Sequence, residues 1–202
     1  MIDLHKDGDL WTVTIRRAEK ANSLTKSMLE QLSEIATAAR TAKVLVITGE
    51  GRVFSAGADL DEARAGLAVD PIWEQLSGAI AALPCLTIAA LNGTLAGGAF
   101  GMALACDLRL AVPTAKFFYP VMKLGFLPQP SDPKRMRALI GPARTKLVLM
   151  AGQKITAQDA LSYGLVDRVL DHDAFAQEIT QLSTDALAAT SENLSGIKTL
   201  CS

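Results

Sequence analysis

Histidine is almost missing from this chain. His5 and His172 are the two in 202 residues, far apart and each among charged neighbours. Both are expected to be solvated, which leaves no histidine for a zinc site or a serine–histidine triad. Cysteine is equally sparse: Cys85, Cys106 and Cys201 form an odd set without the CxxC spacing of metal or redox sites. Buried or idle thiols in a reducing cytoplasm are the expectation. No charge of either sign is in excess. The formal net charge of −1 gives nucleic acid or an anionic membrane surface nothing to hold. Long apolar runs are absent too. The stretch from Cys85 to Leu91 falls far short of the roughly 20 residues that span a bilayer. The opening MIDLH lacks the basic segment and apolar run of a signal peptide, so a cytoplasmic protein is expected. Two phosphate motifs are incomplete. Gly93 to Gly98 has P-loop glycine spacing, but Ala99 stands where the lysine must be, and no G-x-G-x-x-G occurs. Nucleotide hydrolysis and dinucleotide binding are thereby excluded, and no metal site is expected.

What remains is ordinary globular material, 50% apolar and 20% charged, and enough of it for one core without disulfide or metal staples. Strands and helices alternate along it. LWTVTI (Leu10 to Ile15) alternates as a half-buried strand. KVLVIT (Lys43 to Thr48) and LTIAAL (Leu86 to Leu91) are continuous runs of buried-strand type. Met28, Leu32, Ile35 and Ala39 recur at helical spacing between Thr25 and Ala39. Short strands are predicted at Leu108 to Val112, Lys116 to Tyr119 and Leu165 to Leu170. Helices are predicted at Lys134 to Ile140, Ala143 to Met150, Ala157 to Tyr163 (opened by Thr156 with Asp159 three residues on) and from Asp173. There is no repeat and no low-complexity linker. The reading is one α/β domain over residues 1–202.

Two of the buried strands run into small-residue turns that open helices: KVLVITG leads to EGRVFSAGADL, and LTIAALNG leads to TLAGGAF. Glycine and alanine let another group approach the backbone, while the first helical N–H groups stay free to donate. Each turn alone can be a tight connection and nothing more. If the two converge, they offer two N–H donors to one oxygen as it gains charge, which is an oxyanion hole.

The wording FSAGADL and NGTLAGGAFGMALACDLRLA resembles the crotonase (enoyl-CoA hydratase/isomerase) superfamily. The likeness begins at RAEKANSL from Arg17, continues through AKF at Ala115, LGFLP at Leu124 and ALIG at Ala138, and ends with ITAQDALSYGLVDRV from Ile155. It implies a crotonase-like spiral of ββα units, with residues 1–170 as the spiral core and 171–202 as a shortened C-terminal helical part. It also implies a coenzyme A thioester as substrate, with no bound cofactor. The backbone N–H groups of Ala58 and Gly98 would then bind the thioester oxygen. Lys20, Ala21, Ser23 and Leu24, together with Ala56, Gly57, Asp59 and Leu60, match positions that line the CoA pocket. Arg16, Arg17 and Lys20 would meet the CoA phosphates or form a solvated basic cluster.

The same resemblance exposes three departures. In the hydratases a glutamate stands three residues beyond the oxyanion-hole glycine, where this chain has Gly101. A second follows the proline of the next strand-turn segment, where it has Val121. At the position where dienoyl-CoA isomerases and 4-chlorobenzoyl-CoA dehalogenases carry an aspartate it has Gln129. None of these side chains is a base, so ordinary hydration is not expected. Tyr119, Lys123, Ser131 and Asp132 are the remaining acid/base candidates near the pocket. Each has a bland counterpart: Tyr119 and Lys123 as structural or solvated groups, Asp132 as the cap of the helix beginning near Lys134. Asp61 and Glu62 are expected to complement the helix after the first turn. The prolines of LPQPSDP stiffen the pocket wall. The short C-terminal part puts trimer formation in doubt, although apolar Thr87 to Leu91 and Leu161 to Leu165 lead us to expect some homo-oligomer. Two functions stay open: an acyl-CoA enzyme of isomerase, hydrolase or decarboxylase type, and a catalytically silent acyl-CoA-binding or scaffold member.

Overall fold

The computed structural model describes residues 1–201. The chain opens with an antiparallel hairpin, β1 (Ile2–Asp7) and β2 (Leu10–Ile15), followed by α1 (Lys26–Ala38). Two strands and one or two helices then recur three times. First come β3 (Val44–Gly49), β4 (Val53–Ser55), α2 (Leu60–Arg64) and α3 (Ile72–Ala81). Next are β5 (Leu86–Leu91), β6 (Thr94–Ala96) and α4 (Phe100–Ala105). The third set is β7 (Leu108–Ala111), β8 (Lys116–Phe118) and α5 (Val121–Leu124). The first strand of each unit joins one sheet and the second joins another. This gives the six-stranded order β1-β2-β3-β5-β7-β10 and the four-stranded order β4-β6-β8-β9. This is the ββα spiral. The remaining elements are α6 (Asp132–Leu149), β9 (Ile155–Thr156), α7 (Ala157–Tyr163), β10 (Arg168–Val169), α8 (Phe175–Ala188) and α9 (Ser191–Leu200).

The central strands explain why the apolar runs carry so much of the fold. β3 and β5 pair in parallel, Val44 opposite Leu86 through Thr48 opposite Ala90, and their side chains are buried on both faces. α1, α3 and α4 pack on one another in succession beside them. Thr25 caps α1 by accepting from the Met28 N–H, and Thr156 with Asp159 forms the full capping box that opens α7. The two helices expected after Lys134 are halves of α6, separated by Gly141 at φ 76° ahead of Pro142.

Several expectations need correction. β1 and α3 were not anticipated. The strand expected at Leu165 to Leu170 contracts to β10. Asp132 does not cap α6: it is the first helical residue, the preceding Ser131 makes no side-chain cap, and the Asp132 carboxylate turns inward. The apolar stretch Thr87 to Leu91 is covered by this chain itself, with α8 packed against β3 and β5, and Leu165 is buried as well. That removes the apolar argument for self-association. Cys85 and Cys106 are buried as expected, and burial pushes their thiols up to about 11 and about 12. Cys201 is exposed. Among the described residues no helix is long and apolar enough to cross a membrane.

Candidate functional site

The two glycine turns meet. A Cβ placed on Gly57, at φ 92°, would lie 2.9 Å from the Ala96 carbonyl oxygen and 3.3 Å from the Gly97 Cα. Only a bare backbone with access to positive φ permits that contact. Buried amides hold the surrounding loops: Asn22 Nδ2 donates to the Glu50 and Val53 carbonyls at 2.9 and 2.6 Å, and Asn92 Oδ1 accepts the Gly49 N–H at 2.9 Å. A parallel bridge sets Ala58. The Leu24 N–H donates to Gly57 O and the Asp59 N–H to Leu24 O, both at 2.8 Å, so the Ala58 N–H faces the opposite side. Gly98 is the second residue of a single 3-10 turn, Gly97–Ala99, where an N–H precedes the first intrahelical acceptor.

Ala58, Gly97 and Gly98 border a cavity of about 220 Å³ whose surface is mostly apolar. Ala56, Leu60, Ala63, Ala68 and Trp73 form one side, and Tyr119, Val121, Leu124, Phe126, Leu127 and Gln129 the other. Trp73 is buried, its Nε1–H donating to Leu67 O at 2.8 Å. Phe126 and the proline segment wall the space without closing it, and Phe100 lies fully buried behind Tyr119.

The candidate residues divide clearly. Tyr119 stands in the cavity wall, its ring stacked on Phe100 with centroids 5.4 Å apart. Its hydroxyl donates to Asp132 Oδ2 at 2.9 Å, and the Gln129 N–H donates to the same hydroxyl oxygen at 3.5 Å. Asp132 has no solvent exposure, and its Oδ1 has no hydrogen-bond partner. Burial lifts its carboxyl to about 7; the Tyr119 bond lowers it, the Glu74 carboxylate raises it and Arg135 lowers it. Burial, with Asp132 beside it, raises the Tyr119 phenol well above its ordinary range. Ser131 belongs to a neighbouring cluster, its N–H and Oγ bonded to Glu74 Oε1 at 3.0 and 2.9 Å. Lys123 is exposed on α5 and does not border the cavity.

On the side expected to meet coenzyme A, Ala56 and Leu60 are exposed at the cavity rim. Leu24 is core instead, with its side chain fully buried and its backbone aligning Ala58. Ser23 is buried and accepts from Arg17 through both Oγ and its carbonyl oxygen. Arg17 also pairs with Asp59 at 2.8 Å, and that hydrogen bond holds the Asp59 carboxyl below the usual carboxylate range. Arg17 is thus committed within the chain. Arg16 pairs on the surface with Asp3 and Glu50, and Lys20 is exposed. Ala21 and Asn22 both adopt positive φ, which shapes the bend before Leu24. The walls from Ala68 and Trp73 were not foreseen, because no turn or motif signal marks the segment that carries them.

Sequence comparison agrees with this architecture. The "Probable enoyl-CoA hydratase echA6" of Mycobacterium leprae is 34% identical over 197 residues, spanning 93% of this chain and 79% of its own length. The 1,2-epoxyphenylacetyl-CoA isomerase of Escherichia coli is 30% identical over 191 residues, spanning 89% and 73%. The crystal structure of an enoyl-CoA hydratase from Bacillus anthracis superposes with a TM-score of 0.89 at 29% identity, covering 98% of this chain and 80% of that one. The sequence profile described as enoyl-CoA hydratase/isomerase matches residues 5–200. Spiral fold, paired glycine turns and these likenesses together place this chain in the enoyl-CoA hydratase/isomerase family.

Proposed function

We propose that the cavity receives the acyl group of a coenzyme A thioester, and that the Ala58 and Gly98 N–H groups take up the charge on the thioester oxygen as an enolate forms. The observation that carries this reading is the convergence of the two glycine turns at the edge of an open, mostly apolar cavity. Each well-aimed donor in such a site contributes on the order of 10²–10³ in rate. Gly101, Val121 and Gln129 cannot exchange protons, so the chemistry that fits is movement of a proton next to the thioester, of isomerase type, rather than addition of water. The E. coli relative is named as an isomerase of a CoA thioester. Ala56 and Leu60 at the rim, with the turn from Lys20 to Ser23, are the surface we assign to coenzyme A itself. A silent acyl-CoA-binding role is the competing reading, favoured by those same three positions.

The test is calorimetric titration with crotonyl-CoA and acetoacetyl-CoA beside free coenzyme A. The expected outcome is thioester binding at least about tenfold tighter than CoA, as one good hydrogen bond to a charged or polarised oxygen supplies. Equal affinities would mean that the N–H pair is not engaged. No binding of any of the three would remove the acyl-CoA assignment.

A further inference from the structure

The space above Gly101 is not vacant. A Cβ there would lie 3.1 Å from Asp132 Oδ1, 3.7 Å from Asp132 Oδ2 and 3.4 Å from the Ser77 Cβ. α4 has given up a side chain at the point where a carboxylate from the first turn of α6 comes in. That carboxylate is fully buried, keeps one oxygen without a partner and binds the hydroxyl of Tyr119, a cavity-wall residue, with the other. An unpartnered buried carboxylate oxygen is costly, and one held beside a cavity by a wall residue is a candidate for a role in chemistry there.

We propose that Tyr119 and Asp132 form the proton relay of this site, with Gly101 the clearance that lets the Asp132 carboxylate stand behind the tyrosine. The inference rests on the acyl-CoA reading above. In the forward step the C–H bond next to the thioester carbonyl breaks and its proton goes to the Tyr119 oxygen. The phenolic proton passes in concert to Asp132 Oδ2. The C–H electron pair becomes the enolate, its charge held at Ala58 and Gly98. Return of the proton to the same carbon gives exchange, and return to the far end of an allylic enolate moves a double bond. Tyr119 stays neutral throughout. That suits a phenol that burial keeps from ionising. Asp132 is the positioning residue and proton store, and Tyr119 the group that touches substrate.

The surroundings of Asp132 set its pH behaviour. Tyr119 faces it from the end of β8, Glu74 from α3 and Arg135 from its own helix; burial dominates and leaves the carboxyl near 7. A base poised close to working pH is the most effective kind. The folded value lies above that of an unfolded aspartate. The protonated form therefore stabilises the fold below about pH 4, the ordinary carboxylate value, and that contribution is lost as pH rises through about 7.

Deuterium exchange at the α-carbon of butyryl-CoA in D₂O reads the relay without any need to know the natural reaction. The expected result is exchange by the wild type that rises with pH through about 7 and then levels. Asp132→Asn should lose that pH dependence, and both it and Tyr119→Phe should exchange about 100-fold more slowly, with butyryl-CoA affinity within threefold of wild type. Circular dichroism checks that each variant is folded, and the two substitutions test the two ends of the relay independently. Wild type that binds butyryl-CoA without exchanging it, or either folded variant exchanging within threefold of wild type, overturns the relay while leaving the binding reading intact. Failure of the wild type to bind removes both.

Discussion

Trp73 decides what can stand at position 98. Three atoms of its indole lie 3.2–3.3 Å from where a Cβ on Gly98 would be, and its Nε1–H is tied to Leu67 O. A methyl group there must move either the ring or the turn, and movement of the turn re-aims the Gly98 N–H. Gly98→Ala is expected to weaken crotonyl-CoA binding about tenfold, with free CoA affected less than twofold, and to cost about 1–3 kcal/mol of stability through overpacking. Titration calorimetry and urea denaturation measure the two effects separately. A loss of stability with unchanged thioester preference would mean that position 98 matters for packing alone. The glycines themselves were readable, because tight βα turns leave a composition signal. Trp73 was not, since nothing local distinguishes a tryptophan facing a cavity from one in the core. Asp132 kept two readings in the sequence, acid/base candidate and helix cap, because an aspartate just before a proline and a helix has the form of a cap. Its contacts with Tyr119 and with the space above Gly101, both on other elements, show where its carboxylate goes.

Among the elements, α2 shows how the cavity rim is held. Asp59 caps it by accepting the Asp61 and Glu62 N–H groups, and its other oxygen takes the Arg17 guanidinium. The five-residue helix buries none of its own side chains, so cap and ion pair hold it in place of packing. Asp59→Ala is expected to cost about 1 kcal/mol and to lower Tm by about 2–4 °C. The Asp59 carboxyl sits below its unfolded value, so its contribution is present above the ordinary carboxylate range and disappears as pH falls through the folded value. The Tm difference between wild type and variant should therefore shrink on acidification; a difference independent of pH would refute the Arg17–Asp59 account. Elements with a clean period or cap were legible: β5 and α7 have the predicted bounds, and α1 is shorter by one residue at each end. α3 was not. Pro71 itself offers no side-chain cap, and although Asp70 Oδ1 accepts the Ile72 N–H at 2.9 Å, the helix merges into apolar sequence on its far side, which hides its period and its end.

For the molecule as a whole, the C-terminal helices complete the six-stranded sheet rather than the cavity. α8 covers β3 and β5, and Phe175, Ser183 and Ala186 are its buried residues. α9 has no fully buried residue; Lys198 Nζ reaches the Cys85 carbonyl and Asp107 Oδ2, each at 2.8 Å, bringing the end of the chain back to the start of β5. Lys198→Ala is expected to lower amide hydrogen-exchange protection across Ser191 to Leu200 while leaving β3 and β5 unchanged. Uniform loss over the whole chain would show that α9 is part of the global cooperative unit instead. At this scale the residues alone gave one α/β domain with two strand–turn–helix segments, and the spiral followed only from the family resemblance, because the pairing of alternate strands into two sheets leaves no local signal.

The two ends of the six-stranded sheet have one further consequence. A sheet rich in apolar parallel strands invites other chains to add strands at its borders. Here one border is β1, where Asp3, His5, Lys6 and Asp7 are exposed, and the other is β10, only two residues long. An incoming chain meets charge at the first and has almost no backbone to pair with at the second. Both borders of this sheet are thereby poor templates for edge-to-edge strand addition by another chain.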